Sequence, residues 1–326
     1  MVGRLKWFKP RESLGGDPMR DYSYILLFAI LCVGTTFHKA NATGPEIFAP
    51  RGITITSPYR AQQNTLDAIM AVKRWNLDRK TPKEHISGVE VHVVVTAPAN
   101  PSQIAFVCSH DENLKDLTGL DIDLRTLSKD AVRDLRISRV LDGIDYGRTR
   151  PFALFDDVLD AVMVEEPPFK IWLGVKDASY RPKQGASHTA TELVRALQQW
   201  RAYYLQVRGV DIFQHILVSS TNPYIVDALD KESKARQLAN QLEILPDYSD
   251  FGVHELTPAM DWFIDHGGFE QLFNLQSRWV SLEDTFISAS RIQAYHDKKK
   301  KVIGWGNVGP DKDYYGALDV VLGDGY

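Results

Sequence analysis

Residues 89–119, VEVHVVVTAPANPSQIAFVCSHDENLKDLTG, decide how the rest of the chain is read. Two short apolar runs, 89–96 and 104–108, are rich in β-branched residues and separated by a Pro/Asn turn, the pattern of consecutive buried strands. Glu90 and His92 stand two apart in the first run, so a strand points both to the same face. His110 and Asp111 follow directly on the second run, where strands of a parallel barrel deliver side chains to the active end. Ionisable groups inside a valine-rich strand are costly unless they are paired or bind an ion. The stretch therefore predicts a site together with a fold.

Working outward, the alternation of strands and helices continues in both directions. Residues 46–49 form a short strand before Pro50-Arg51-Gly52, and the helical spacing of Leu66, Ile69, Met70 and Val72 predicts a helix over 64–75. Further helices are expected over 128–137, with Ser128 as N-cap, and over 155–164, 190–207, 224–242 and 282–296. Strands are expected at 169–175, 215–218, 243–245, 272–275 and 302–305. With 89–96 and 104–108 this makes about eight strands alternating with helices, which predicts an α/β fold, a single (β/α)8 TIM-type barrel. The loop 177–188, which ends at His188, follows the fourth strand and is placed to cover the site.

Several of these pieces resemble the glycerophosphodiester phosphodiesterase family. GVEVHVVVT and FVCSHDENLKDLTG are similar to that family's acid-x-acid strand and its strand ending in His-Asp with a Leu-x-x-Thr-Gly loop. APRG at 49–52 and QNTLDAI at 63–69 resemble its His-Arg-Gly and Glu-Asn-Thr-Leu. IWLGVK at 171–176 sits where a strand ends Glu-x-Lys, and KKVIGWGN and LDVVLGDGY resemble the last strand and the closing aspartate turn. The resemblance covers residues 46–326 and implies cleavage of a phosphodiester on a glycerol headgroup. Two histidines would move protons, and a divalent ion held by carboxylates would neutralise the phosphate.

Measured against that implied site, the chain departs at several positions. Pro50 stands at the first histidine, His92 at the second acid of the pair, Gly174 at the third ligand and Gln63 at the glutamate of Glu-Asn-Thr. Arg51, Glu90, His110, Asp111 and Lys176 remain, a mostly phosphate-binding set. The implied roles are Arg51 and Lys176 for phosphate, His110 with His92 for proton transfer, and Glu90 as one member of an incomplete metal site. Mg²⁺ and Ca²⁺ require oxygen donors and the set falls short of them, whereas Zn²⁺ or Mn²⁺ on Glu90 and His92 is a softer variant.

The chain has 326 residues, 44% hydrophobic and 25% charged, an ordinary globular balance. With a net charge of −4 there is no basic field to recruit nucleic acid. The tetralysine 298–301 closes the last helix favourably against its dipole. Near the N-terminus, Arg4, Lys6, Lys9, Arg11 and Arg20 precede the apolar run 24–37, and Ala40-Asn41-Ala42 follows it. Residues 1–42 are thus expected to be a signal peptide cut after Ala42, with an uncleaved signal anchor as the alternative, and residues 43–326 to be the barrel. The mature chain is then secreted or extracytoplasmic, touching a membrane only through an uncleaved leader. Of two cysteines only Cys108 remains after cleavage, a small buried hydrophobe rather than a thiol nucleophile.

Three functions fit these residues. The first is a barrel that keeps a phosphate pocket for a small phosphodiester or phospholipid headgroup, with metal-dependent hydrolysis lost or altered, a pseudoenzyme by descent. The second is an active phosphodiesterase on glycerophosphodiesters or lysophospholipids, using His110 with His92 and a non-standard or absent metal. The third is a scaffold, in which His92 is a satisfied core histidine and Glu90 pairs with Arg51 or Lys176.

Overall fold

Parallel strands buried on both faces read as continuous apolar runs, and such runs build the centre of this protein. The computed structural model describes residues 44–52, 61, 63–78, 85–138, 150–164, 169–176, 184–249 and 257–322. The predicted leader, residues 177–183 of the covering loop, His254 and the closing aspartate turn at Asp324 lie outside the described residues. Among the described residues no helix is long and apolar enough to cross a membrane.

The strands are β1 (Glu46–Ala49), β2 (Gly88–Val95), β3 (Phe106–Cys108), β4 (Arg136–Ile137), β5 (Arg150–Pro151), β6 (Lys170–Lys176), β7 (Ile216–Ser220), β8 (Glu243–Tyr248), β9 (Trp279–Glu283), β10 (Lys301–Trp305) and β11 (Val320–Leu322). Eight of them run parallel in the order β1-β11-β10-β9-β8-β7-β6-β2, and pairing of β1 with β2 closes the ring. This is a (β/α)8 barrel. Helices α1 (Leu66–Asp78), α2 (Lys115–Thr118), α3 (Lys129–Asp134), α4 (Phe155–Val162), α5 (Gln184–Arg208), α6 (Pro223–Ala235), α7 (Thr257–Asp265), α8 (Gly268–Phe273) and α9 (Ala289–Asp297) lie between or beside the strands.

Alternation along each strand divides the core in two. In β2, Val89, Val91, Val93 and Val95 belong to the large cluster that includes Ile69 and Val72 of α1 and Phe155, Val158 and Leu159 of α4, whereas Glu90 and His92 point into the barrel. The barrel's floor is a separate cluster of Phe48, Trp172, Leu245, Ile303, Val320 and Leu322. Trp172 is 1% exposed, and its indole nitrogen donates to Ser219 Oγ at 2.6 Å, so the one polar atom of the largest floor residue is satisfied. Truncating it to alanine is expected to cost about 3–5 kcal/mol.

Helix starts follow their caps. Ser128 Oγ accepts from the Ala131 amide before α3, Ser288 Oγ from the Arg291 amide before α9, and Asn222 Oδ1 from the Tyr224 amide before α6, where Pro223 occupies the first turn. At the other end, α6 stops at Ala235 rather than at residue 242, because Gln237 adopts a left-handed φ of 60°.

Three expectations about strands are corrected. Residues 104–108 were expected to supply a barrel strand; instead β3 runs antiparallel beside the upper half of β2, Val95 opposite Phe106 and Val93 opposite Cys108, while β1 holds the lower half. The strand expected at 272–275 is the end of α8, whose C-cap Asn274 takes a left-handed φ of 53°. The barrel strand is β9, seven residues later, and the helix expected from 282 begins only at Ala289. β9 reads poorly as a buried strand because its inward residues are Trp279, Ser281 and Glu283. β11 closes the ring at residues quoted above only as part of the closing turn.

Candidate active-end site

The antiparallel course of β3 positions the first group. Running back down along β2, it brings Ser109 to the level of His92, whose carbonyl accepts the Ser109 amide at 3.1 Å. His110 therefore enters the barrel mouth, its ring 5.0 Å from that of His92. His110 Nδ1 pairs with Asp111 Oδ1 at 2.7 Å, and this bond and charge hold the Asp111 carboxyl below its ordinary range. With Nδ1 donating to the carboxylate, Nε2 is left as an acceptor.

Below the mouth, Glu90 and His92 form a sealed pair. Glu90 Oε1 lies 3.0 Å from His92 Nε2, and the residues are 8% and 4% exposed. Burial pushes the Glu90 carboxyl up, but the charge and hydrogen bond of His92 and the charges of Arg51 and Lys176 outweigh it and bring it to about 2. Burial brings His92 down to about 4 against the pull of Glu90. At neutral pH the pair is an ionised carboxylate receiving the Nε2–H of a neutral imidazole. His92 Nδ1 is buried without a partner.

His92 and Gly174 are one exchange rather than two. They are directly opposite in the β2–β6 register, and a Cβ on Gly174 would stand 2.5 Å from His92 Cδ2. The imidazole fills the space a longer side chain at 174 would need. A hard divalent ion needs several oxygen donors here, and among the described residues no three His, Cys, Asp or Glu side chains are grouped to hold a metal. The residues present do not fit Mg²⁺ or Ca²⁺, and Zn²⁺ or Mn²⁺ would find the Glu90 oxygen and the imidazole already bonded to each other.

The cations are arranged differently. Arg51 takes a left-handed φ of 53°, a strained conformation for a side-chain-bearing residue. Gly52 follows at φ 83°, where a Cβ would meet the Ala68 backbone at 2.5 Å, and the Asn64 amide donates to the Arg51 carbonyl at 3.0 Å. Asn64 Oδ1 in turn accepts the His92 amide at 3.0 Å, which ties the β1 loop to β2. Arg51 Nη1 donates to Gln63 Oε1 at 2.6 Å. A neutral amide holds the guanidinium without cancelling its charge, as a glutamate there would.

Lys176 ends β6 in the mouth. Burial lowers its ammonium, while Glu90 and then Asp247 pull it up, and Arg51 opposes them. Among the described residues it has no hydrogen bond or ion pair. It lines a cavity of 520 Å³ with His110, Asp111, Glu112, Arg125, Ser220 and Asn222. Arg125 is committed to Glu112 at 3.4 Å and to Asp123 at 2.8 Å, so Lys176 is the unpaired cation of that wall.

Sequence reasoning missed Asp247. On β8 its Oδ1 accepts from Ser281 Oγ at 2.6 Å and from Trp305 Nε1 at 3.0 Å. Burial raises its carboxyl to about 6 against those bonds and the Lys176 charge. The signal was available, since Glu243, Leu245 and Asp247 repeat the two-residue spacing of Glu90 and His92, but the strand was read as ending at 245. His188, expected near the pocket, lies on α5 and donates from Nε2 to the Thr96 carbonyl at 3.2 Å. His296 pairs with Asp319 at 2.9 Å. Cys108 is buried, which pushes its thiol well up, as befits an inert residue.

Compared by sequence, the chain matches no family model and no curated protein. Compared by structure, it is similar to a phosphodiesterase from Oleispira antarctica in complex with the product sn-glycerol-3-phosphate, with 19% identity, 87% of this chain and 94% of that one covered, and a TM-score of 0.55. It is also similar to a glycerophosphodiester phosphodiesterase from Parabacteroides distasonis (13% identity, 86% and 92% covered, TM-score 0.56) and to the glycerophosphoryl diester phosphodiesterase domain of a Mycobacterium tuberculosis protein (14%, 86% and 95%, 0.56). By class, then, this is a closed parallel (β/α)8 barrel with its polar groups gathered at the carboxyl ends of the strands. More narrowly, the barrel is the one seen in glycerophosphodiester phosphodiesterases.

Proposed function

We propose that the chain binds the phosphate group of a small phosphodiester, of the kind found in glycerophospholipid headgroups, without a divalent ion. Lys176 carries the reading: a largely buried ammonium with no partner among the described residues, facing a cavity of small-molecule size. Arg51, whose guanidinium is held by the neutral Gln63 amide, adds a second cation. Among the described residues no group of side chains is placed to hold the ion that metal-dependent hydrolysis needs, and His92 fills the space beside Gly174. The product carried by the Oleispira antarctica phosphodiesterase supports the choice of headgroup. The leader read over residues 1–42 supports a secreted or extracytoplasmic setting, which the N-terminal residue of the exported protein tests.

Calorimetric titration with inorganic phosphate and with glycerophosphocholine, in a chelator, tests the binding. Heat of binding that disappears in Lys176→Ala is the expected result. An absence of interaction with both anions would sink the proposal.

A further inference from the structure

We propose that Asp247 is the proton donor of a metal-free phosphodiester cleavage in this site, working opposite His110. The inference rests on the phosphate-binding reading above and goes beyond it.

Cleavage needs a group to accept a proton from the attacking water and another to give one to the leaving alcohol, on opposite sides of the phosphorus. His92 can do neither, since Nε2 is bonded to Glu90 and Nδ1 is sealed. Glu90 and Asp111 are held ionised by their histidines. Asp247 differs from both. Its two hydrogen bonds fall on Oδ1 alone, leaving Oδ2 without a partner among the described residues and outside the set of sealed polar atoms. Burial, the largest influence, and Glu90 from β2 raise the carboxyl to about 6 against Ser281 from β9, Lys176 from β6 and Trp305 from β10, so it keeps its proton in mildly acidic solution.

Topology supplies the opposition. Around the ring β8 lies two strands from β6 on one side, while β2, with β3 beside it, adjoins β6 on the other. His110 and Asp247 therefore come from elements on either side of β6, the strand that carries Lys176. Asp247 does not line the cavity wall, and in the proposed step a phosphate seated on the Lys176 ammonium is what brings the two together. In the step, a water oxygen bonds to phosphorus and its proton passes to His110 Nε2. The bond from phosphorus to the alcohol oxygen breaks with its electron pair on that oxygen, which takes the Asp247 proton. Solvent then resets both groups.

The test uses the full chain in chelator with glycerophosphocholine, following choline or glycerophosphate release with binding measured in parallel. Wild-type turnover should fall as pH rises through about 6, where the donor loses its proton. Asp247→Asn, which keeps the Oδ1 acceptor, should lose about a hundredfold in rate with binding retained, and Asp247→Glu should restore part of it. Binding without turnover in the wild type overturns this inference and leaves the binding reading standing. Unchanged rate and pH profile in Asp247→Asn overturn the role of that residue, and loss of all anion binding overturns both readings.

Discussion

The centre of the barrel and its mouth, two residues apart along β6, have had opposite fates. At Gly174 the centre is closed: a carboxylate and an imidazole satisfy each other, and one ring takes the room of another side chain. At Lys176 the mouth is open, with a cation that makes no hydrogen bond or ion pair among the described residues. The difference separates two jobs that a phosphodiesterase barrel combines, holding a metal and holding a phosphate. Lys176, suited to the second, lines the open cavity, whereas the Glu90–His92 pair is buried.

The strongest way to break this contrast is to force a side chain back into the centre. Gly174→Glu must displace the His92 ring and is expected to destabilise by about 3 kcal/mol in denaturant unfolding. His92→Asp combined with Gly174→Glu should cost much less than the sum, because the vacated imidazole makes the room, and it should gain calcium affinity. Additive costs would show that the two positions are independent.

A smaller effect is expected from breaking the pair itself. Glu90→Ala leaves the buried Nε2–H of His92 without an acceptor and should cost about 2 kcal/mol, read in the same experiment. Acid should act in the same direction. His92 and Glu90 both titrate lower in the fold than in the unfolded chain, so their contribution is complete above pH 6.5. It is lost first as pH falls from 6.5 toward 4, where the imidazole must charge, and then from 4.5 toward 2, where the carboxylate must protonate. His92→Asn should flatten the upper limb of that curve, and an unaltered curve would remove His92 from it.

The mouth should respond least in stability. Asp247→Asn relieves a carboxylate that burial disfavours and should stabilise by about 1 kcal/mol above pH 7, with no gain below pH 4. Lys176→Ala should leave unfolding within about 0.5 kcal/mol of wild type while anion binding is lost. A large loss of stability there would mean that Lys176 is a structural cation and the mouth is no site.

Much of this was legible in residues 89–119. The valine run, the paired polar residues two apart and the His-Asp after the second strand specify a barrel strand and its active end. What was not legible has physical reasons. The direction of β3 depends on where β1 stops pairing with β2, a tertiary fact that periodicity does not carry. β9 and the end of β8 hide because inward-facing Ser281, Glu283 and Asp247 break the apolar pattern of a buried strand. The link between His92 and Gly174 is a matter of register between strands some 80 residues apart, visible only once β2 and β6 are side by side.

The most direct test of the account is the affinity for glycerophosphocholine measured twice, once in chelator and once in saturating calcium. The account predicts the same affinity in both, set by Lys176 and Arg51. Binding that appears only with calcium would contradict it, since a metal would then be doing what the two cations are held to do.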